Sequence, residues 1–166
     1  MVDPGDATRE VEDRYGLDTD ENPNHLGHLL GFFVPQRLAR RAVDVTIGTD
    51  RDRYAAGDVV ELTIEFRNRL PVPVTIETPT PRLWGWTVDG CLEASDEHRR
   101  RLRDLGGGRL SFRSRERKRL TRRWDGRIKR VGDPTRWEQA TGEVVVSAFL
   151  AVDGRRPADE TTVRIE

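Results

Sequence analysis

The fold is decided by residues 43–68, VDVTIGTDRDRYAAGDVVELTIEFRN. Apolar and polar residues alternate at both ends of this stretch, which is the pattern of a β-strand with one buried face. In the second half, after a turn at Gly57, four apolar residues share one face: Val60, Leu62, Ile64 and Phe66. Two successive strands are therefore expected here, each with its apolar side toward a common core.

The same alternation returns in short segments as far as the C-terminus. Strand patterns occupy residues 72–76, 108–112, 119–124, 142–152 and 160–166, and Asp89-Gly90 divides another segment into a hairpin. The strands recur at intervals of about ten residues, and no helical crossover lies between them. This arrangement predicts an all-β chain folded as an antiparallel β-sandwich.

The N-terminal part has a different character. Its first fifteen or so residues show no periodicity and predict an acidic tail. Two short helices are expected next, over residues 25–30 and 35–41, because Gly31 can end the first and Pro35 suits the first turn of the second. The predicted organisation is an acidic tail with a short helical extension over residues 1–42, followed by the sandwich over residues 43–166.

Several turn and strand features occur in a characteristic order. They are Tyr54 and Gly57, Asn68 before Pro71-Val72-Pro73-Val74, Trp86 with Gly90, Trp124-Asp125-Gly126, and Gly142 before the strand pattern of residues 144–150. In this order they resemble the BsuPI-type intracellular proteinase inhibitor family. The resemblance implies an immunoglobulin-like β-sandwich that binds proteins. It further implies proteinase inhibition, with the loops at residues 78–83 and 89–95 as candidates to enter a protease active site.

Charge is segregated along a chain whose formal net charge is zero. Residues 1–30 contain eight acids and two arginines, whereas residues 99–130 contain fifteen basic residues and three acids. Lys118 and Lys129 are the only lysines. Arginine in place of lysine, beside abundant acids, is typical of a GC-rich genome and resembles haloarchaeal sequences. Such segregation favours an interaction surface or an internal clasp between the two segments.

The densest basic segment is residues 109–130, where eleven of twenty-two residues are arginine or lysine. A turn near residues 114–117 is expected, because an unbroken strand from Phe112 to Trp124 would be unusually long. Since an unpaired buried charge costs several kcal/mol, the arginines are expected to point outward. The predicted partner-binding residues of this basic face are Arg113, Arg115, Arg117, Arg119, Arg122, Arg123, Arg127 and Arg130.

Two kinds of partner suit such a face. An acidic protein is the first expectation, and a nucleic acid or the ribosome, bound through the block at residues 99–130, is the alternative. Phe112 and Trp124 alternate with the arginines as core residues do, which argues against base stacking on this strand. The competing interpretation is a solvated face whose arginines pair with local acids, including those of residues 1–30, which we call the acidic head.

A second candidate surface is the apolar segment LGHLLGFFVP, residues 26–35. Leu29, Phe32 and Phe33 could dock on a partner or on a membrane surface, and arginines follow the segment directly. The alternative is packing of these residues on the chain's own sandwich.

No enzyme, metal or cofactor site is predicted. His25 and His28 are three residues apart but have no further ligand at a helical spacing, and no nucleophile, phosphate-loop or paired-carboxylate motif is present. Trp124 and Trp137 are expected to be structural, and at least one of Trp84 and Trp86 is expected in the core.

A cytoplasmic location is expected. Cys91 is the single cysteine and is interpreted as a buried thiol, so no internal disulfide forms. The N-terminus is acidic where a signal peptide would be basic and then apolar. No apolar run reaches the ~20 residues of a membrane-spanning helix, so no integral membrane segment is expected.

Overall fold

A computed structural model describes residues 34–97 and 105–166, together with the backbone of residues 18–19. In chain order the described elements are β1 (Asp18–Thr19), α1 (Gln36–Ala42), β2 (Val43–Thr49), β3 (Arg53–Tyr54), β4 (Val60–Asn68), β5 (Val74–Thr78), β6 (Trp84–Val88), β7 (Cys91–Leu92), β8 (Gly108–Phe112), β9 (Arg117–Trp124), β10 (Arg127–Arg130), β11 (Arg136–Gln139), β12 (Gly142–Leu150) and β13 (Ala158–Ile165).

The strands form two main sheets. The first sheet has the order β1-β9-β4-β2 and the second the order β3-β13-β12-β6-β7, while β5-β8 and β10-β11 are two-stranded ribbons. All pairings are antiparallel except that of β3 with β13. The expected all-β class, an immunoglobulin-like antiparallel β-sandwich with a short helical element ahead of it, is confirmed.

Strand β4 lies at the centre of the first sheet and supplies much of the core. Its four predicted core residues, Val60 to Phe66 in steps of two, are all fully buried, and β12 of the second sheet adds its own buried alternate residues to the same core. Each such side chain contributes about 1.5–3 kcal/mol by leaving water. The alternation seen in the sequence therefore corresponds to the inward face of the sandwich.

The predicted hairpin turn is also confirmed. Asp89 and Gly90 connect β6 to β7, with φ angles of 45° and 79°. Both angles are positive, as a tight turn between right-twisted strands requires. The β10-β11 ribbon and the two-residue strands β1 and β3 were not predicted, because none of them carries a clear alternation of its own.

Helix α1 confirms the second of the two expected helices. It buries Ala39 and Ala42 and leads directly into β2. The side-chain amide of Gln36 donates to the carbonyl of Thr75 at 2.9 Å and accepts from the backbone N–H of Glu77 at 3.0 Å, so it covers the open edge of β5. The first expected helix, at residues 25–30, lies outside the described residues.

Asn68, at the end of β4, holds two turns together. Its Nδ2 donates to the carbonyls of Val72 and Arg113, both at 2.8 Å, and its Oδ1 accepts from the N–H of Leu70 at 3.0 Å. The residue is fully buried, so these partners replace water completely. A buried amide satisfied in this way joins residues 69–73 to the turn that precedes β9.

We expect Asn68→Ala to lower the free energy of unfolding by about 3 kcal/mol, because it leaves buried polar partners of the turns unsatisfied. Urea unfolding followed by tryptophan fluorescence measures this loss. Thr46→Ala, on the exposed side of β2, is the matched control and should change the free energy by less than about 0.5 kcal/mol. Equal effects of the two substitutions would show that Asn68 does not hold the turns.

Candidate functional site

The turn before β9 sets the position of the basic residues. As expected, the long basic stretch is broken: β8 ends at Phe112 and β9 begins at Arg117. Arg115 adopts a positive φ of 55°, and its N–H donates to the carbonyl of Leu70 at 3.0 Å. This bond holds the turn against the loop that Asn68 organises. The turn thereby determines which side chains of β9 face solvent.

Alternate arginines of β9 point into solvent. Arg117, Arg119 and Arg123 are exposed, and buried Leu120 and Trp124 alternate with them. Arg113 and Arg115 in the turn and Arg127 in β10 are also exposed. The outward orientation predicted for these six arginines is confirmed.

Arg122 and Arg130 do not belong to that face. Arg122 has the inward phase of Leu120, is half-buried, and places its guanidinium 5.1 Å from the centre of the Trp84 ring. Arg130 is half-buried and bridges Glu138 at 2.9 Å and Asp96 at 3.8 Å. The hydrogen bond with Glu138 raises the pKa of Arg130. Among the eight predicted residues, Arg122 therefore lies on the opposite side of β9 from the exposed arginines, and Arg130 lies on the separate β10-β11 ribbon.

A single carboxylate lies between two of the outward arginines. Glu65 of β4 contacts Arg119 at 3.1 Å and Arg117 at 3.8 Å, and its side chain is only 18% exposed. One negative charge thus serves two positive ones. Among the described residues, local pairing of the kind expected from the competing interpretation is present here, with one carboxylate for two guanidinium groups.

Arg67 adds a further positive charge that the sequence did not reveal. It is exposed on β4 directly opposite Arg117, and like charges in this position destabilise a sheet. On its other side Arg67 faces Asp44, whose carboxylate pairs with Arg69 at 3.3 Å. We call the set Arg67, Arg117, Arg119 and Arg123 the arginine face. Only the register between β4 and β9 brings Arg67 into it.

Lys118 lies on the other side of β9 and is buried. It is 2% exposed, and its Nζ lies 3.6 Å from Glu116 Oε1 and 5.7 Å from the centre of the Phe112 ring. Glu116 Oε2 accepts from the N–H of Arg113 at 2.6 Å. This buried pair joins the turn to the core, so the basic stretch contains one structural cation beneath its outward ones.

The acidic head reaches the arginine face at one described point. Strand β1 pairs antiparallel with β9, so that Asp18 is opposite Arg119 and Thr19 is opposite Lys118. The contact joins the acidic and basic segments of the chain, as an internal clasp requires.

The loops proposed for protease binding are half-buried. Residues 79–82 are only partly exposed, and Arg82 Nη1 donates to Glu93 Oε1 at 2.7 Å, which ties the two candidate loops together. Asp89 and Gly90 are exposed at the hairpin tip.

The tryptophans and the cysteine only partly follow expectation. Trp84, Trp86 and Trp124 are buried, but Trp137 is 58% exposed, so its predicted structural role is wrong. It lies on the two-stranded β10-β11 ribbon, outside the two main sheets. Cys91 is free and half-buried, and its Sγ accepts from Arg130 at 3.3 Å.

Some predicted residues lie outside the described part of the chain. These are the apolar candidates Leu29, Phe32 and Phe33, and the histidines His25, His28 and His98. Within the described residues, no helix has the length and apolar character needed to cross a membrane.

Residues 31–166 match a family model described as a family of unknown function, DUF7974. This is not the BsuPI-type family expected from the sequence, so that resemblance is not confirmed. No curated protein matches the sequence.

Solved structures of very different proteins are similar to part of this chain. The CARDB domain of a Pyrococcus furiosus protein, in complex with di-metal ions, is 14% identical at a TM-score of 0.46, covering 74% of this chain and 91% of that chain. A Listeria innocua β-glucosidase in complex with isofagomine is 8% identical at a TM-score of 0.46, and the match covers 74% of this chain and 16% of that chain. A Pseudomonas fluorescens alkylpurine DNA glycosylase bound to DNA containing an abasic site analog is 14% identical at a TM-score of 0.39. That match covers 74% of this chain and 30% of that chain. These likenesses assign no activity to this chain.

We expect Lys118→Met to destabilise the protein by about 3 kcal/mol or more, because it leaves the buried Glu116 carboxylate without its cation. The double variant Lys118→Met/Glu116→Gln should recover much of this loss, since the glutamine keeps an acceptor for Arg113 without a charge. Urea unfolding of the wild type, both single variants and the double variant measures the coupling.

Arg119→Met on the outward side of β9 is the matched control and should cost less than about 1 kcal/mol. If Lys118→Met costs no more than this control, the buried pair does not hold the turn.

Proposed function

We propose that this chain, which belongs to the DUF7974 family of unknown function, is a non-catalytic module that binds an acidic protein partner through the arginine face. The proposal rests on the direct opposition of Arg67 and Arg117 beside a single shared carboxylate. The sandwich holds these like charges together at a cost, and a carboxylate supplied by a partner would relieve it.

The residue type supports recognition of carboxylates. Guanidinium groups stay charged and present planar donors that match a carboxylate in a bidentate manner. Arg123 adds a further cation on the same strand: Glu61 is its register partner, yet no ion pair of 4.0 Å or less joins the two within the described residues. The face therefore offers several donors on a rigid sheet, and little reorganisation is needed for binding.

The same face supports a protein more than a nucleic acid. Glu61, Glu65 and Asp44 lie among the arginines, so this face carries charges of both signs. Phe112 and Trp124 are buried and offer no surface for base stacking. A protein surface that carries acids and a few bases matches this mixed pattern better.

A nucleic-acid function remains the second candidate on one observation. Exposed Trp137 of β11 is the register partner of Lys129 of β10, and exposed Arg127 and Arg136 lie in the same ribbon. An aromatic ring beside cations can stack on an unpaired base. This candidate uses the β10-β11 ribbon and not the arginine face, so substitutions separate the two functions.

We expect a fluorescein-labelled peptide of alternating glutamate and threonine to bind the full chain, with an affinity that falls as salt rises. The variant Arg117→Ser/Arg119→Ser/Arg123→Ser should bind about tenfold more weakly or worse, since it removes most of the carboxylate donors. Fluorescence anisotropy at two salt concentrations measures both effects.

The matched control is Arg53→Ser/Arg155→Ser/Arg164→Ser, which removes the same charge from exposed positions away from the arginine face. Equal binding by both triple variants would contradict the proposal. A labelled single-stranded oligothymidylate is the second probe. Tight binding of this probe that Trp137→Ala abolishes would favour the nucleic-acid function instead.

A further inference from the structure

We propose that the outer edge of β9, the side that faces away from β4, is a strand-addition site for an extended acidic peptide. In the free protein the chain's own β1 occupies part of this edge. The inference rests on the proposed function, whose partner class and binding mode it specifies.

The two sides of β9 are paired very unequally. On one side all eight residues pair with β4, from Arg117 opposite Arg67 to Trp124 opposite Val60. On the other side the two residues of β1 reach only Lys118 and Arg119. Within the described residues no other strand pairs with this outer edge.

Several of the other described sheet edges are short or partly covered. Strands β3 and β7 have two residues each. The amide of Gln36 covers β5, and Asp159 Oδ2 accepts from the N–H of Ile47 on β2 at 3.0 Å. A long edge presents a row of backbone donors and acceptors, which is a template for another strand. Strand β13 is as long as β9 and pairs with β3 only at Arg164 and Ile165, but β9 differs from it by its row of outward arginines.

Strand β1, which occupies part of the β9 edge, indicates which chemical groups a ligand of this edge would carry. β1 belongs to the segment of residues 1–30, which has eight acids and two arginines, and Asp18 takes the register position opposite Arg119. Alternate residues of an added strand share one face of the sheet. An extended peptide with acids at alternate positions would therefore place them in register with Arg117, Arg119 and Arg123. The two-residue β1 provides only a small part of this match.

It follows that β1 and the partner peptide compete for the same edge. A partner binds only the fraction of molecules in which the edge is open, so its apparent affinity is reduced by that fraction. The acidic head thus raises the threshold for binding and favours longer or more acidic peptides over short ones.

The alternating glutamate-threonine peptide tests strand addition when it is N-methylated at every second residue, in each of the two possible phases. A strand at an edge turns alternate N–H groups toward its neighbour. Methylation in one phase therefore removes every hydrogen bond that the peptide donates to β9, and methylation in the other phase removes none of them. We expect one phase to bind about tenfold more weakly or worse and the other to bind like the parent peptide.

A second measurement tests the competition. Thr19→Pro removes a backbone donor from β1 and should raise the affinity of the full chain for the unmodified peptide. Thr8→Pro in the same acidic head is the matched control and should leave the affinity unchanged. Circular dichroism verifies that both variants keep the sandwich.

Equal effects of the two N-methylated peptides would overturn strand addition. If the arginine triple variant still weakened binding in that case, the proposed function would stand without the inference. An unchanged affinity of Thr19→Pro would overturn the role of β1 as a competitor. Failure of the unmodified peptide to bind the Thr19→Pro variant, whose edge is open, would overturn both proposals.

Discussion

The pairing of β4 with β9 is the interaction on which the rest of the structure depends. β4 turns a continuous apolar row inward, and that burial fixes its phase, because a slip of one residue would expose the entire row. Its register with β9 then determines which basic side chains lie outside. Arg67 and Arg117 are brought together because the core on the opposite side of the sheet leaves them no other arrangement.

The turn between β8 and β9 shows how polar groups are used inside the sandwich. The side chain of Asn68 makes one hydrogen bond to this turn and two to the loop at residues 70–72, and the pair of Lys118 with Glu116 adds a buried charge interaction. Neither arrangement adds much net stability over apolar packing, but each is costly to break. Such groups define one geometry for the turn and therefore for the arginines that follow it.

The acidic and basic segments of the sequence come into contact in the first sheet. Acidic and basic segments far apart in the sequence meet where β1 pairs with β9, and the carboxylate of Glu65 is shared by two arginines. The overall neutrality of the chain thus conceals a local excess of positive charge. This excess lies on the outward side of β4 and β9, where Arg67 is opposite Arg117.

The sequence by itself determined the fold class, the inward rows of β2 and β4, the hairpin at Asp89-Gly90 and the outward direction of alternate arginines, because these follow from local periodicity and turn chemistry. Tertiary structure alone decided that Arg67 joins the arginine face and that Trp137 is exposed. These outcomes depend on register between strands distant in sequence and on which faces receive a second layer. One-dimensional periodicity carries no information about either, since the same alternation is compatible with several strand partners.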